Sequence, residues 1–196
     1  MTAPESAPQD AADMARLNAG HDAALNDLMS RHADRLFHYL LRQLNNESDA
    51  ADLAQETFAR VYLHRNRFQP GQKFSSWLYA IATNLVRDRF RWRARHPHVS
   101  LEAAQEDAGS LLATLTDAGA SPGEIFEQQE RAEAVRRAVQ SLPEDLRTAV
   151  ILSEYESLPH AEIGNLLGCS AKAVESRLYR ARASLRNALS DVRQLR

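Results

Sequence analysis

From Asp22 onward, apolar side chains recur at three- and four-residue steps. No stretch alternates at period two over the length of a strand, and none is a long β-branched run. That periodicity confines the chain to helices packed on helices. Leu25, Leu28, Met29, Leu36, Leu40 and Leu44 predict a helix from near Asp22 to Leu44, which Asn45-Asn46 breaks. Asn46 suits the N-cap of the next helix, and Asp49 stands where a carboxylate meets first-turn amides. Leu53, Ala54, Phe58 and Val61 form that helix's apolar face. Phe68 to Gln72, with Pro70-Gly71 inside it, reads as a loop. Ser75 is a candidate cap for a third helix striped with Leu78, Ile81, Ala82, Leu85 and Phe90, and Pro97 ends it. On this stripe Trp77 falls one turn before Ile81 and reads as core.

Residues 97–123 change character. They are rich in Ala, Ser, Gly and acids, carry an apolar island at Leu111, Leu112 and Leu115, and close on Ser121-Pro122-Gly123. Helical spacing then resumes with Ile125, Phe126, Val135 and Val139. Pro143, followed by Glu144 and Asp145, opens another helix with Leu146, Val150 and Ile151 inward. Two shorter helices split at Gly168 complete the chain. The expected fold is all-α: two small helical domains, 16–96 and 124–196, joined by a flexible acidic linker over 97–123. Residues 1–15, rich in Ala, Pro and acids, are expected to be a disordered tail.

A net charge of -2 conceals how charge is arranged. Arg87, Arg89, Arg91, Arg93 and Arg95 stand against one acid, Asp88; Lys172, Arg177, Arg180, Arg182 and Arg186 stand against Glu175 alone. Between them, His96 to Glu130 holds no Lys or Arg but Glu102, Glu106, Asp107, Asp117, Glu124, Glu127 and Glu130. Two basic segments separated by an acidic one suit nucleic acid at two points. No segment approaches the ~20 unbroken apolar residues of a membrane span, and Met1 to Asp13 lacks the layout of a secretory signal. The single cysteine, Cys169, cannot close an internal disulfide, so a reducing, cytoplasmic setting is expected.

Pro159 to Arg182 reads PHAEIGNLLGCSAKAVESRLYRAR. Ile163, Leu166 and Leu167 face inward on one short helix. Gly168 supplies the left-handed residue of a sharp turn, Ser170 caps a second helix, and Val174, Leu178 and Leu185 point in. The small Gly164 lets the two helices approach. This is helix-turn-helix spacing. Its outward face carries Lys172, Glu175, Ser176, Tyr179 and Arg180, flanked by Arg177 and Arg182: side chains able to reach base edges and phosphates in a major groove. Cys169 reads as a small apolar residue of the turn. The seven histidines are scattered without metal-ligand spacing, and no Gly-rich phosphate loop or nucleophile elbow appears, so neither cofactor nor metal is expected and an enzyme is disfavoured.

Asp49-Ala-Ala-Asp-Leu-Ala-Gln-Glu-Thr-Phe58, Phe74-Ser-Ser-Trp-Leu-Tyr-Ala-Ile-Ala-Thr-Asn84 and Leu142-Pro-Glu-Asp-Leu-Arg147, followed by the helix-turn-helix, resemble the extracytoplasmic-function (ECF) sigma factors in order and spacing. The resemblance covers about 20–95 and 125–190. It implies that residues 16–96 are sigma region 2 and 124–196 sigma region 4. It implies core RNA polymerase and promoter DNA as partners, with an anti-sigma factor that masks the polymerase-binding surfaces. Asp49, Asp52, Gln55 and Glu56 would bind the polymerase clamp. Phe68, Lys73, Asn84, Arg87, Arg89, Arg91 and Arg93 would serve the minus-ten element, with Asn84 reading an unstacked base and the arginines holding phosphates. Ser170, Lys172, Glu175, Ser176, Arg177, Tyr179, Arg180 and Arg182 would meet the minus-thirty-five element. Ala173 and Glu175 stand where the family often has Thr or a basic residue, and Pro159 where it often has a Ser cap. The alternative is a helix-turn-helix regulator that works without polymerase; binding to the core enzyme separates the two.

Overall fold

The computed structural model describes residues 6–96 and 122–190, and every regular element among them is helical. In the N-terminal half, α1 (Ser6–Asn18), α2 (Ala23–Leu44), α3 (Glu47–Leu63) and α4 (Phe74–Arg95) pack around α2, with a 3₁₀ turn at Arg65–Arg67. Leu28, Leu36, Tyr39, Leu40, Phe58, Val61, Phe74, Leu78 and Ala82 form the core between them. The predicted stripes therefore face inward where they were placed, with Ile81, Trp77 and Phe90 packed at the core's edge. Asn45 ends α2 in the left-handed conformation at φ 51°, one of the few non-glycine types that adopts it readily. Asn46 caps α3, its side chain accepting from the Asp49 amide at 2.7 Å.

Three expectations fail for physical reasons. Residues 6–15, expected in a disordered tail, belong to a helix that runs Ser6–Asn18. Met14 and Leu17 are fully buried against the bundle, and Asp10 and Asp13 bind Arg31 and His32 of α2. A short Ala-rich segment that would not hold alone is held by tertiary burial. Asp49 does not direct its carboxylate to the α3 amides, because Arg89 (2.6 Å) and Arg93 of α4 take it. Ser75 does not cap α4, which starts one residue earlier, at Phe74, with Lys73 at the cap position and no side-chain cap.

In the C-terminal half, α5 (Pro122–Gln140) leads to α6 (Glu144–Val150). A π-helical turn at Ile151–Tyr155 extends α6, and α7 (His160–Leu167) and α8 (Ala171–Ala188) follow. Pro122 and Gly123 thus open a helix instead of closing the linker, and α8 is long, not short. Only the end of α5 reaches the core, through Ala138 and Val139; Phe126 is 61% exposed and Val135 38%. Leu146, Ile151, Leu152, Ile163, Val174 and Leu178 make the buried centre. The linker island at Leu111, Leu112 and Leu115 and the stop at Pro97 lie outside the described residues.

The two halves share one continuous apolar cluster. The π turn brings Glu156 into the seam, where its side chain is 1% exposed. Arg35 Nε donates to it at 2.8 Å, the Tyr79 hydroxyl donates to the same carboxylate oxygen, and Arg35 also reaches the Glu156 carbonyl. Burial and the neighbouring Glu156 charge push the Tyr79 hydroxyl well above its ordinary value, so it remains a donor. At the other end of the seam, Glu162 of α7 accepts from Ser76 Oγ at 2.6 Å and from Lys73. Burial alone would raise the Glu162 carboxyl, but these two donors and the Lys73 charge hold it below the ordinary value. Arg147 is half-buried at the seam with its guanidinium on the Gln43, Gln140 and Leu142 carbonyls and over the Phe90 ring; partial burial lowers its pKa.

Candidate nucleic-acid interface

The helix-turn-helix is built as its sequence predicts. Gly168 turns at φ 68°, ψ 38°. A Cβ on Gly164 would lie 2.6 Å from the Cys169 carbonyl oxygen, so only glycine admits this close crossing. Ser170 Oγ accepts from the Ala173 amide at 3.2 Å and starts α8. Val174 and Leu178 are buried and Leu185 is partly so. Lys172, Glu175, Ser176, Tyr179 and Arg180 stand on the open face, with Tyr179 77% exposed, and Arg182 is exposed at its flank.

The cations of α8 are not equally free. Arg177 is folded back: Nη1 donates to Cys169 Sγ at 3.1 Å and Nε lies 3.5 Å from Asp145. Arg180 is only loosely near Asp145, at 3.9 Å, whereas Arg182 holds Glu154 at 2.7 Å. Exposed pairs of this kind contribute little and exchange readily for phosphate.

A second cationic face lies on the other half. α4 carries exposed Asn84 and Arg91 and half-buried Arg87. Arg89 and Arg93, placed with them in sequence, turn instead toward α3 and clamp Asp49, whose side chain is only 14% exposed. The loop before α4 is held by aromatic packing: Phe68 lies 5.4 Å from Trp77 and 6.3 Å from Phe74 between ring centroids. Trp77 thus sits at the edge of the core, as its spacing predicts. Lys73 is engaged by Glu162. On α3, Asp52, Gln55 and Glu56 are exposed on one side, with Leu53 and Phe58 buried on the other; Glu56 pairs with Arg60 at 2.8 Å.

Sequence reasoning did not find Arg35, Tyr79, Glu156, Glu162 and Arg147. The partners Arg35 and Glu156 are 121 residues apart, and no local spacing signals such a pair.

A helix-turn-helix with an open basic face, joined to a second helical unit with its own arginine-rich helix, defines a two-part helical DNA-binding protein. Residues 28–96 match the model for sigma-70 region 2, and residues 132–185 that for sigma-70 region 4. The chain is 30% identical over 177 residues to the ECF RNA polymerase sigma factor SigW of Bacillus subtilis, covering 90% of this chain and 95% of that one. It is 37% identical over 179 residues to the RNA polymerase sigma factor CarQ of Myxococcus xanthus, covering 91% and 97%. Among solved structures, CnrH in complex with the cytosolic domain of CnrY matches with a TM-score of 0.65 at 27% identity, over 93% of this chain and 97% of that one. RpoE, in complex with the anti-sigma factor NepR from Bartonella quintana, shares the fold, with a TM-score of 0.66 at 19% identity, over 84% and 96%. The chain belongs to the ECF sigma factors of the sigma-70 family. It is a sigma factor that directs transcription initiation.

Proposed function

We propose that the exposed side of α3, with Asp52, Gln55 and Glu56, binds the clamp of core RNA polymerase, that the Phe68–Arg95 segment recognises and opens the minus-ten element, and that α8 reads the minus-thirty-five element. The single observation supporting this most directly is α8 itself: a capped helix that presents Lys172, Ser176, Tyr179 and Arg180 to solvent across a glycine turn. Asn84 is free to read a base. Arg87 and Arg91 hold duplex phosphate beside it, while Arg89 and Arg93 brace Asp49 and act on DNA through the position of α4. Asp49 accordingly supports the clamp-binding surface from behind. Lys73 reaches DNA by exchanging Glu162 for phosphate. Residues 16–96 act as region 2 and 124–196 as region 4.

The protein works in the cytoplasm by recruitment, not by catalysis of its own. Among the described residues no helix is long and apolar enough to cross a membrane. An anti-sigma factor is a further partner; RpoE, which shares the fold, was solved with the anti-sigma factor NepR, and CnrH with the cytosolic domain of CnrY. Run-off transcription with core polymerase over a promoter library tests the whole reading: transcripts from a defined promoter class are expected. Replacing Asp52, Gln55 and Glu56 together by Ala should weaken association with the core enzyme at unchanged helicity. A chain that binds promoter DNA but never core polymerase would instead be the helix-turn-helix regulator.

A further inference from the structure

α1 precedes residues 28–96, the stretch that matches sigma-70 region 2, and is tied to that stretch by buried charge. Asp10 and Asp13 are 3% and 5% exposed. Asp10 accepts from Arg31 Nε at 2.9 Å and meets His32 Nε2 at 2.9 Å. Asp13 accepts from Arg31 Nη2 at 2.6 Å and from Arg16 at 2.9 Å. A buried ionic cluster stabilises little more than apolar side chains of the same volume would, but it admits one register only. α1 therefore cannot slide along α2 without unpairing charges out of water. Beyond α2, α1 packs on the 3₁₀ turn Arg65–Arg67 and on α4, the two elements that flank the loop Phe68–Lys73. Residues 69–73 of that loop are exposed, and within them the Gln72 amide reaches the Gln69 carbonyl at 3.1 Å. The loop is anchored at its ends, by half-buried Phe68 and by Phe74, which is 2% exposed. The Phe74 ring lies 6.3 Å from Phe68, 6.4 Å from Trp77 and 5.0 Å from the His32 ring, between centroids. His32 thus bridges α1 to the loop, with one ring nitrogen on Asp10 and its ring against Phe74.

We propose that His32, fixed by Asp10, is a positioning residue for promoter opening: through the His32–Phe74 contact, α1 holds the loop Phe68–Lys73 in place to meet the minus-ten element. The assignment rests on the minus-ten reading of that loop given above. His32 itself touches no DNA, since its side chain is 12% exposed. Two features favour positioning over bulk stability as the work of the α1 charges. Met14 and Leu17 already bury α1 fully against the bundle, so the helix has an apolar anchor without them. Taking Asp10 and Asp13 out of water is costly where apolar side chains would serve stability as well, and what the cluster adds is a fixed register. That register is passed on to an aromatic group, Phe68, Phe74 and Trp77, in which the two loop anchors sit.

The test uses holoenzyme at a promoter from which the wild-type chain initiates. His32→Ala and Asp10→Ala should each lower open-complex formation about threefold or more, read as permanganate reactivity of unpaired thymines. Affinity for core polymerase and for the closed promoter should stay at the wild-type level. Asp10→Asn, which keeps an acceptor toward His32, should restore most of what Asp10→Ala loses. On a template mismatched across the minus-ten element, and so already unpaired, all forms should initiate alike. A purely structural role would lower core affinity together with opening, and the mismatched template would not rescue it. Wild-type opening in His32→Ala overturns the proposal, as does a loss of core affinity in step with opening or a deficit that persists on the mismatched template. If circular dichroism shows His32→Ala misfolded, Asp10→Ala, which leaves the His32 ring on Phe74, decides by the same readings. Asn84→Ala separates this inference from the reading beneath it. If Asn84→Ala opens poorly while His32→Ala opens normally, only this inference falls; if both open normally, the minus-ten reading falls with it.

Discussion

Arg180 and Arg182 lie two residues apart on α8, and their surroundings give them different work. Arg180 projects from the open face with only a 3.9 Å approach to Asp145, while Arg182 is turned to the flank and holds Glu154 at 2.7 Å. Arg180→Ala should therefore cost ~1–3 kcal/mol and relax preference at one position of the minus-thirty-five element. Arg182→Ala should weaken all sequences alike and lower the salt slope by ~1. Holoenzyme affinity for a panel of minus-thirty-five variants at several salt concentrations checks both, and a uniform loss with Arg180→Ala would make its role electrostatic. Asn84 is a different kind of residue, exposed and free of ionic partners. Asn84→Ala should leave the closed complex nearly intact and reduce melting, read by permanganate reactivity of unpaired thymines; normal reactivity would remove the assignment. These outward residues were legible in the sequence because helical periodicity separates them from the buried stripe. What periodicity could not show was which arginines were already engaged: Arg89 and Arg93 share their helix with Arg91, yet both face Asp49.

At the scale of elements, the turn between α7 and α8 was fully legible, because its constraints are local. Gly164, Gly168 and Ser170 act within seven residues of one another. Gly164→Ala places a Cβ 2.6 Å from the Cys169 carbonyl oxygen, and backbone cannot yield cheaply. Overpacking of this kind costs roughly 1–3 kcal/mol, so the C-terminal half should melt earlier in calorimetry; an unchanged transition would show that the crossing is slack. The first helix is the converse case. Nothing in its Ala- and Pro-rich composition announces order, because its stability comes from partners in α2. Burial pushes the Asp10 carboxyl up, but hydrogen bonds and charge from His32 and Arg31 outweigh it and hold the pKa below the ordinary value. Replacing Asp10 and Asp13 together by Ala leaves Arg31 without a carboxylate in a part-buried site. The expected outcome is local release of α1, seen as faster amide exchange over residues 10–17 with the rest of the bundle protected. Unaltered exchange there would mean that Met14 and Leu17 suffice.

Across the whole molecule, the seam between the halves is ionic at both ends and apolar between. Glu162 contributes with a sign that pH can reveal. Its folded pKa lies below the ordinary 4.5, so the stabilisation it gives the seam is present above that value and lost as pH falls through the lowered one. Lys73 is more than half exposed, which limits the pair to under about 1 kcal/mol. Glu162→Gln should loosen the halves at neutral pH, measured as energy transfer between labels on α2 and α8, and the gap between variant and wild type should close as pH falls through the lowered Glu162 pKa. A gap independent of pH would assign the effect to packing. For this protein, the sequence by itself determined the class of fold, the helix-turn-helix and the outward basic faces, because periodicity, caps and turn residues act within a few positions along one chain segment. Only the tertiary structure decided that residues 6–18 are helical, that Asp49 braces α4, and that Glu156 is buried against Arg35 and Tyr79. Each of these depends on side chains far apart in sequence meeting out of water, where burial and pairing outweigh local preference, and no local pattern encodes which distant partner will be there.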